Sequence, residues 1–498
     1  MRYLLGVDLG GTVVKASLFD EEGRETASAG RRTPLITAEP GQAERDIPET
    51  RRLAYEAIRE TVATSGVDAG EIVAVATTGH GKGVYTLRRD RSPGIGIVST
   101  DTRSGAIAAE VMAQPDYDRE FYAKTFQPLW PGHTAPILAW LKRNRREEYD
   151  AIGTIQLAKD LLRYFLTDAL HVELTDISGT GFWDNTVGAV DRTILERLGI
   201  PEIAEAIPPV VNSHEVVGSV TAEAARATGL AEGTPVVGGL FDVNACTLAT
   251  GVEHRNELTG VVGTWSISAF VTSEYSRAAE HQDRYVIQAH SMPGMYLIHE
   301  ASPTSAGNLE WFTANLLPEM PEEERFAYCN QAVADTPETS VSFFPYLFGS
   351  DLGAEASGTF IGLRAGTSRE EIVRAVYEGI VFQHVRHMNR LLAVTDPPEE
   401  IRFAGGATRS AVWMQMFADA LGIPVTVAQA EELGALGAAI CAAVGVGVYD
   451  SYHEAIEAMT GVRETYRPDP AAGAALQRKQ VRFEEIVSAM EPVWKRHG

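Results

Sequence analysis

Asp8, Gly10, Gly11, Thr12 and Lys15 crowd one short stretch near the start of the 498-residue chain. The stretch runs Leu4-Leu5-Gly6-Val7-Asp8-Leu9, then a Gly10-Gly11-Thr12 turn, then Val13-Val14-Lys15-Ala16-Ser17-Leu18-Phe19-Asp20. Glycines permit positive φ and leave backbone N–H groups uncovered. Uncovered N–H groups beside a hydroxyl and a lysine suit phosphate oxygens. Asp8 then stands where a metal ion on those phosphates could be held. An ordinary buried hairpin whose Asp caps a turn would read the same way, so this stretch alone leaves both readings open.

The design recurs. Leu258-Thr259-Gly260-Val261-Val262-Gly263-Thr264-Trp265-Ser266-Ile267-Ser268-Ala269-Phe270 is again strand, Gly-Thr turn, strand. Just before it, an apolar run from Pro235 to Leu240 delivers Phe241-Asp242-Val243-Asn244 into a small-residue helix. Asp242 is there either a reactive carboxylate or a helix N-cap. Later, the strand Ile401 to Phe403 ends in Ala404-Gly405-Gly406-Ala407, and a helix follows from Ser410. Open backbone at a helix N-terminus favours a nucleotide or its phosphates, although a tight turn needs the same glycines. A repeat about 250 residues apart predicts two similar α/β halves, 1–250 and 251–498.

The elements that must position these groups follow from pattern. Asp46-Ile47-Pro48 opens a helix running to about Ser65. Ile72 to Thr77 is a continuous apolar strand, as in a sheet covered on both faces. It ends in Thr78-Gly79-His80-Gly81-Lys82-Gly83, at the strand end where α/β sheets bind ligands. Helices are predicted at Thr134 to Asn144, Asp160 to Thr167 and Ser368 to Leu392. The Gly- and Ala-rich run Ala435 to Tyr449 is too short to span a bilayer and reads as a buried helix.

Composition narrows the class. The chain has 45% hydrophobic and 22% charged residues, a globular balance. Its formal net charge of -24 argues against nucleic acid as the main partner. Cys246, Cys329 and Cys441 are far apart and fit a reducing cytosol, each as a small core residue. A chain that begins in a strand with an early Asp8 is not expected to carry a secretory signal, so a cytoplasmic location and no membrane are expected. A homodimer is compatible with all of this. There is no Walker sequence, no G-x-G-x-x-G after a strand and no H-E-x-x-H.

The ordered set resembles the sugar kinases of the actin, Hsp70 and hexokinase superfamily. Within it the chain is similar to the FGGY carbohydrate kinases over nearly its whole length, with the L-xylulose kinase type nearest in pattern. The segments that carry this are Gly233 to Val243, Val262-Gly263-Thr264-Trp265, His299 to Phe312 and Val412-Trp413-Met414-Gln415-Met416. The resemblance implies two ribonuclease-H-like α/β domains around a central cleft, using ATP and Mg²⁺. Asp242 matches the catalytic base, which takes the proton of the attacking sugar hydroxyl. Asp8, with Asp242, matches the metal side. Gly10, Gly11, Thr12 and Lys15 match one phosphate-binding turn, and Gly263 and Thr264 the other. Gly405, Gly406, Ala407 and Ser410 match the adenosine turn.

The substrate stretch departs from other branches. Glycerol kinases carry Arg-Glu after this strand and D-xylulose kinases Met-His-Gly. Here it is Gly79-His80-Gly81-Lys82-Gly83, similar to the Gly-Lys-Gly of L-xylulose kinases. Lys82, then His80 and Asp101, are the expected sugar contacts together with Asp242. Arg103 is expected to hold its loop, Trp130 and His133 to wall the site or pack in the core, and Lys159-Asp160 to be structural. The expected substrate is a ketopentose, L-xylulose giving L-xylulose 5-phosphate. The alternatives are erythritol, D-ribulose, L-ribulose or 3-keto-L-gulonate, or a sugar-sensing regulator without turnover.

Overall fold

The first strand, Tyr3–Leu9, is the centre of its sheet, with Leu4, Leu5, Val7 and Leu9 all fully buried. A strand covered on both faces needs an unbroken apolar run, and this one is broken only by Gly6 and Asp8. It pairs antiparallel with Val13–Asp20 and parallel with Ile72–Gly79. Glu25–Arg32 pairs antiparallel with the second strand, while Pro235–Val237 and Leu240–Phe241 both run parallel to Ile72–Gly79. The helix Ile47–Ser65 covers one face, capped by Asp46, whose side chain accepts from Glu49 N–H at 2.6 Å. A computed structural model describes residues 1–253, 257–263, 265–281, 284–350, 352 and 356–497 of this chain.

Two compact units share the described chain. One comprises Met1–Glu253, Thr272–Ile298 and Glu432–Thr460, and the other His254–Val271, His299–Glu431 and Gly461–Gly498. The units therefore interleave and do not follow a single cut near residue 250. The helix Leu433–Gly445, the buried helix expected from the Ala-rich run, belongs to the first unit. It packs on the first strand so closely that a Cβ on Gly6 would collide with the backbone of Ala435.

The second unit has the same order of parts. Leu258–Val262 pairs antiparallel with Ser266–Thr272 and parallel with Ile401–Ala404. Val425–Ala428 and Val462–Tyr466 extend this sheet on the far side of Ile401–Ala404. The long helix Arg369–Leu392 opens with a reciprocal cap between Ser368 and Glu371. Among the described residues no helix is long and apolar enough to cross a membrane. Cys329 and Cys441 are buried as expected, and Cys246 is partly exposed.

Candidate active site

The first turn is built by register. Leu9 pairs with Val14, and Gly10 N–H donates to Val13 O at 3.0 Å, so Gly11 and Thr12 form a two-residue loop open to solvent. Beneath it lies Arg45, 3% exposed, whose Nη2 donates to Gly10 O at 3.1 Å and Gly11 O at 2.7 Å. Lys15 forms an ion pair with Glu432, at 2.7 Å, just before the helix Leu433–Gly445. Asp8 closes the first strand against that helix, where a Cβ on Gly434 would collide with Asp8 Oδ2. Asp8 Oδ1 is buried with no hydrogen-bond partner among the described residues. Burial, then Glu432, pushes the Asp8 carboxyl up to about 6, against the pull of Lys15.

Asp242 is the first residue of the helix Asp242–Thr250, and the cap position belongs to Phe241. The preceding backbone is pinned from below. Phe241 N–H donates to Thr175 Oγ1 at 2.9 Å, and that hydroxyl donates to buried Glu173 at 2.8 Å. Burial, then the charges of Asp8 and Asp176, raise the Asp242 carboxyl to about 8, while Lys82 opposes them. Asp8, Asp176, Lys82 and Asp242 are thus electrostatic neighbours within one unit. Buried carboxyls that shift one another's titration are a pattern found at functional sites.

The loop after Ile72–Gly79 brings Lys82 to this group. Lys82 has φ 64, rare for a side-chain-bearing residue. Its N–H donates to Asp176 Oδ1 at 3.1 Å, and its ammonium lies 5.1 Å from the centre of the Phe241 ring. Gly81 is required there, since a Cβ would strike that same ring. Asp176 Oδ2 is buried with no hydrogen-bond partner among the described residues, and Lys159 lies 3.6 Å from it. Burial first raises the Asp176 carboxyl to about 7, with Lys159 opposing. His80 bonds Tyr85 OH at 2.9 Å, and burial, then Arg45, drops it to about 3, so the imidazole is neutral.

Two expectations need correction or extension. Asp101 is fully buried, its oxygens accept from Ala43 N–H and from Arg103 N–H and Nε, and it is ion-paired with the Arg103 guanidinium. That leaves it no face for a sugar hydroxyl, so it clamps the loop with Arg103. Lys159 and Asp160 do sit in the framework, in a fully buried ionic cluster with Arg163 and Glu173. Trp130 Nε1 donates to Ser99 O at 3.1 Å, and Gly132 O accepts from Gly83 N–H at 2.8 Å, so their turn braces the lysine loop. Sequence reasoning missed Asp176 and Arg45. Nothing in the sequence announced that Asp176 would be buried.

The second unit holds the other turn and a pocket. Gly263 O accepts from Ala306 N–H at 3.0 Å, at the start of the helix Ala306–Leu316. Ser266 and Ser305 both bond buried His384, at 3.0 and 2.9 Å, and burial lowers that imidazole to about 3. Thr264 lies outside the described residues. A pocket of about 510 Å³ is lined by Gly263, Gly406, Ala407, Ser410, Asn330 and Tyr377. That volume suits a nucleotide-sized ligand. Gly405 does not line it directly but makes the φ 98 bend into Gly406. Ser410 caps the helix Ala411–Leu421 through Trp413 N–H and donates to Asn330 Oδ1 at 2.6 Å. Tyr377 OH also donates to that oxygen, at 2.9 Å, which leaves the Asn330 amide N–H groups as donors.

A glycine turn beside buried carboxylates in one unit, with a second turn and a nucleotide-sized pocket in the other, is the equipment of an ATP-dependent sugar kinase. Residues 3–249 match the N-terminal domain and residues 258–446 the C-terminal domain of the FGGY family of carbohydrate kinases. The chain belongs to that family and has its two-domain fold. It is 38% identical over 495 residues to the L-xylulose/3-keto-L-gulonate kinase of Escherichia coli K12, covering 98% of this chain and 97% of the relative. It is 36% identical to a probable L-xylulose kinase of Pasteurella multocida, with 99% of each covered. The crystal structure of xylulose kinase from Rhodospirillum rubrum superposes with a TM-score of 0.88 at 28% identity, covering 99% of this chain and 100% of that one.

Proposed function

We propose that this kinase phosphorylates a ketopentose on a primary hydroxyl, converting L-xylulose to L-xylulose 5-phosphate, with Asp242 as general base. The observation that carries the reading is the grouping of Asp242 with Asp8, Asp176 and Lys82, on a backbone pinned by Thr175. The sugar oxygen forms a bond to the γ-phosphorus, the bond to the β,γ-bridging oxygen breaks to release ADP, and the hydroxyl proton passes to Asp242. A positioned base of this kind contributes about 10²–10⁴ in rate. Gly11 and Thr12 hold phosphate oxygens, and the Asn330–Ser410 pocket holds adenosine.

Mg²⁺ fits the residues present. The unpartnered buried Asp8 Oδ1 and the raised Asp242 carboxyl are oxygen donors that a hard cation satisfies. When bound with ATP it supplies charge neutralisation on the phosphates. Among the described residues no group of three or more ligating side chains is preassembled, so Asp8 and Asp242 would hold the ion together with oxygens of the bound nucleotide and water.

A second substrate reading, a sugar acid such as 3-keto-L-gulonate, is favoured by Lys82. Its ammonium has no carboxylate within ion-pair distance among the described residues and rests on an aromatic face. Such a cation can receive a substrate carboxylate as readily as a hydroxyl. ADP release over ketopentoses, polyols and keto-acids decides between them. Turnover highest on L-xylulose supports the first reading, turnover highest on a sugar acid the second, and no turnover anywhere leaves a sugar-binding regulator.

A further inference from the structure

Arg45 is the anomaly of the first unit. It is 3% exposed, yet no carboxylate among the described residues lies within ion-pair distance of it. Its neighbours in sequence are spoken for: Glu44 pairs with Arg103 and Arg145, and Asp46 caps a helix. Burying an unpaired cation is costly, so a chain that keeps one gains something elsewhere.

The guanidinium is spent on backbone. It holds the carbonyls of Gly10 and Gly11, and its Nη1 lies 3.3 Å from Tyr85 OH. In a trans peptide the C=O and N–H point in opposite directions. Drawing the carbonyls of Gly10 and Gly11 inward therefore turns the N–H groups of Gly11 and Thr12 outward. Neither N–H has an acceptor among the described residues. Two adjacent outward N–H groups over a buried positive charge form an anion cradle. On its other side Tyr85 OH bonds His80 Nε2, and the His80 imidazole lies 3.4 Å from Gly81 O, beside Lys82.

We propose that Arg45 is a positioning residue for phosphoryl transfer: it presents the Gly11 and Thr12 N–H groups to the ATP phosphates and, through Tyr85 and His80, ties that turn to the lysine loop. It touches neither substrate and acts through the peptide groups. The inference rests on the kinase reading but not on which sugar is used.

The test is calorimetric binding of a non-hydrolysable ATP analogue with Mg²⁺, alongside KM and kcat on the best sugar of the panel. Arg45→Gln, which is shorter, keeps an N–H donor and loses the charge, is expected to weaken analogue binding about tenfold or more, the scale of lost charged hydrogen bonds. Arg45→Lys keeps the charge but not the two-carbonyl fork, and is expected to recover part of that loss. Tyr85→Phe is expected to raise the sugar KM with little change in analogue binding. Variants that differ from wild type only in thermal midpoint, with analogue affinity and KM unchanged, overturn the inference. If Arg45→Gln does not fold, wild-type affinity in Arg45→Lys overturns it alone. Failure of the wild-type chain to bind the analogue at all would instead strike the kinase reading.

Discussion

The two glycine turns share a plan and are anchored by opposite chemistry. In the first, Leu9 opposite Val14 leaves a two-residue loop held from below by a buried guanidinium. In the second, Val262 pairs with Ser266, and the anchors are a helix-start N–H and a neutral histidine shared by two serines. Charge is concentrated where the proposed phosphoryl and proton transfers occur, together with Asp8, Asp242, Asp176 and Lys82. The nucleotide-sized pocket is lined mostly by glycines, apolar and aromatic side chains, hydroxyls and an amide, with Glu310 and Arg409 as its charged members. Preorganised charge helps most where charge develops in the transition state, whereas a base and ribose need only shape and directed hydrogen bonds.

The largest effect that would sharpen this contrast is on the charged side. Asp242→Asn is expected to cut kcat by about 10²–10⁴ with nucleotide affinity kept, and near-normal turnover would remove Asp242 from the mechanism. The same variant should be more heat-stable than wild type near pH 7 to 8. A carboxyl raised from 3.8 to about 8 keeps its proton in the folded state after the unfolded chain has lost it. Stability therefore falls as pH rises through that window, and the amide escapes the penalty. For the wild type, kcat/KM should rise with pH toward about 8 as Asp242 ionises, and a flat profile from pH 6 to 8 would contradict that assignment.

Gly434→Ala comes next. The added methyl must displace Asp8 or the helix Leu433–Gly445, and kcat is expected to drop about 10²-fold for a misplacement of this kind. Unchanged kcat would mean that Asp8 is not held by that contact. On the neutral side, His384→Phe should weaken ATP binding about tenfold by removing two hydrogen bonds. It should leave the pH profile between 5 and 8 intact, because His384 carries no charge there. A new inflection near pH 6 would break the contrast between the turns. Ser410→Ala is the mildest. Loss of the cap costs about 0.5–2 kcal/mol in a melt, and a freed Asn330 amide raises the ATP KM about threefold. An unchanged KM would confine Ser410 to capping.

Both turns were legible in the sequence because strand, glycine and strand fix a local geometry that needs no distant partner. Helix starts were legible for the same reason: Asp46 with Pro48 and Ser368 with Glu371 act within one turn. The lysine loop was legible through its glycines, although only the fold reveals that Gly81 exists to admit Phe241. Asp101 misled because exposure is a tertiary property. An Asp-x-Arg segment reads as a polar loop until Ala43, 58 positions away, donates to it. Arg45 and Asp176 were invisible for the converse reason, since neither type is expected to be buried. What placed them there is a hydrogen-bond network spanning distant strands.

The interleaving of the units has a consequence for biosynthesis. The first strand emerges from the ribosome early, but the helix Leu433–Gly445 that covers it is translated more than four hundred residues later. Until then the groove shaped by Gly6 stands open and apolar. The amino-terminal unit thus cannot close until residues 432–460 are made, although it is the first to begin, and for most of its synthesis the nascent chain depends on chaperones or on speed to keep that surface from foreign partners.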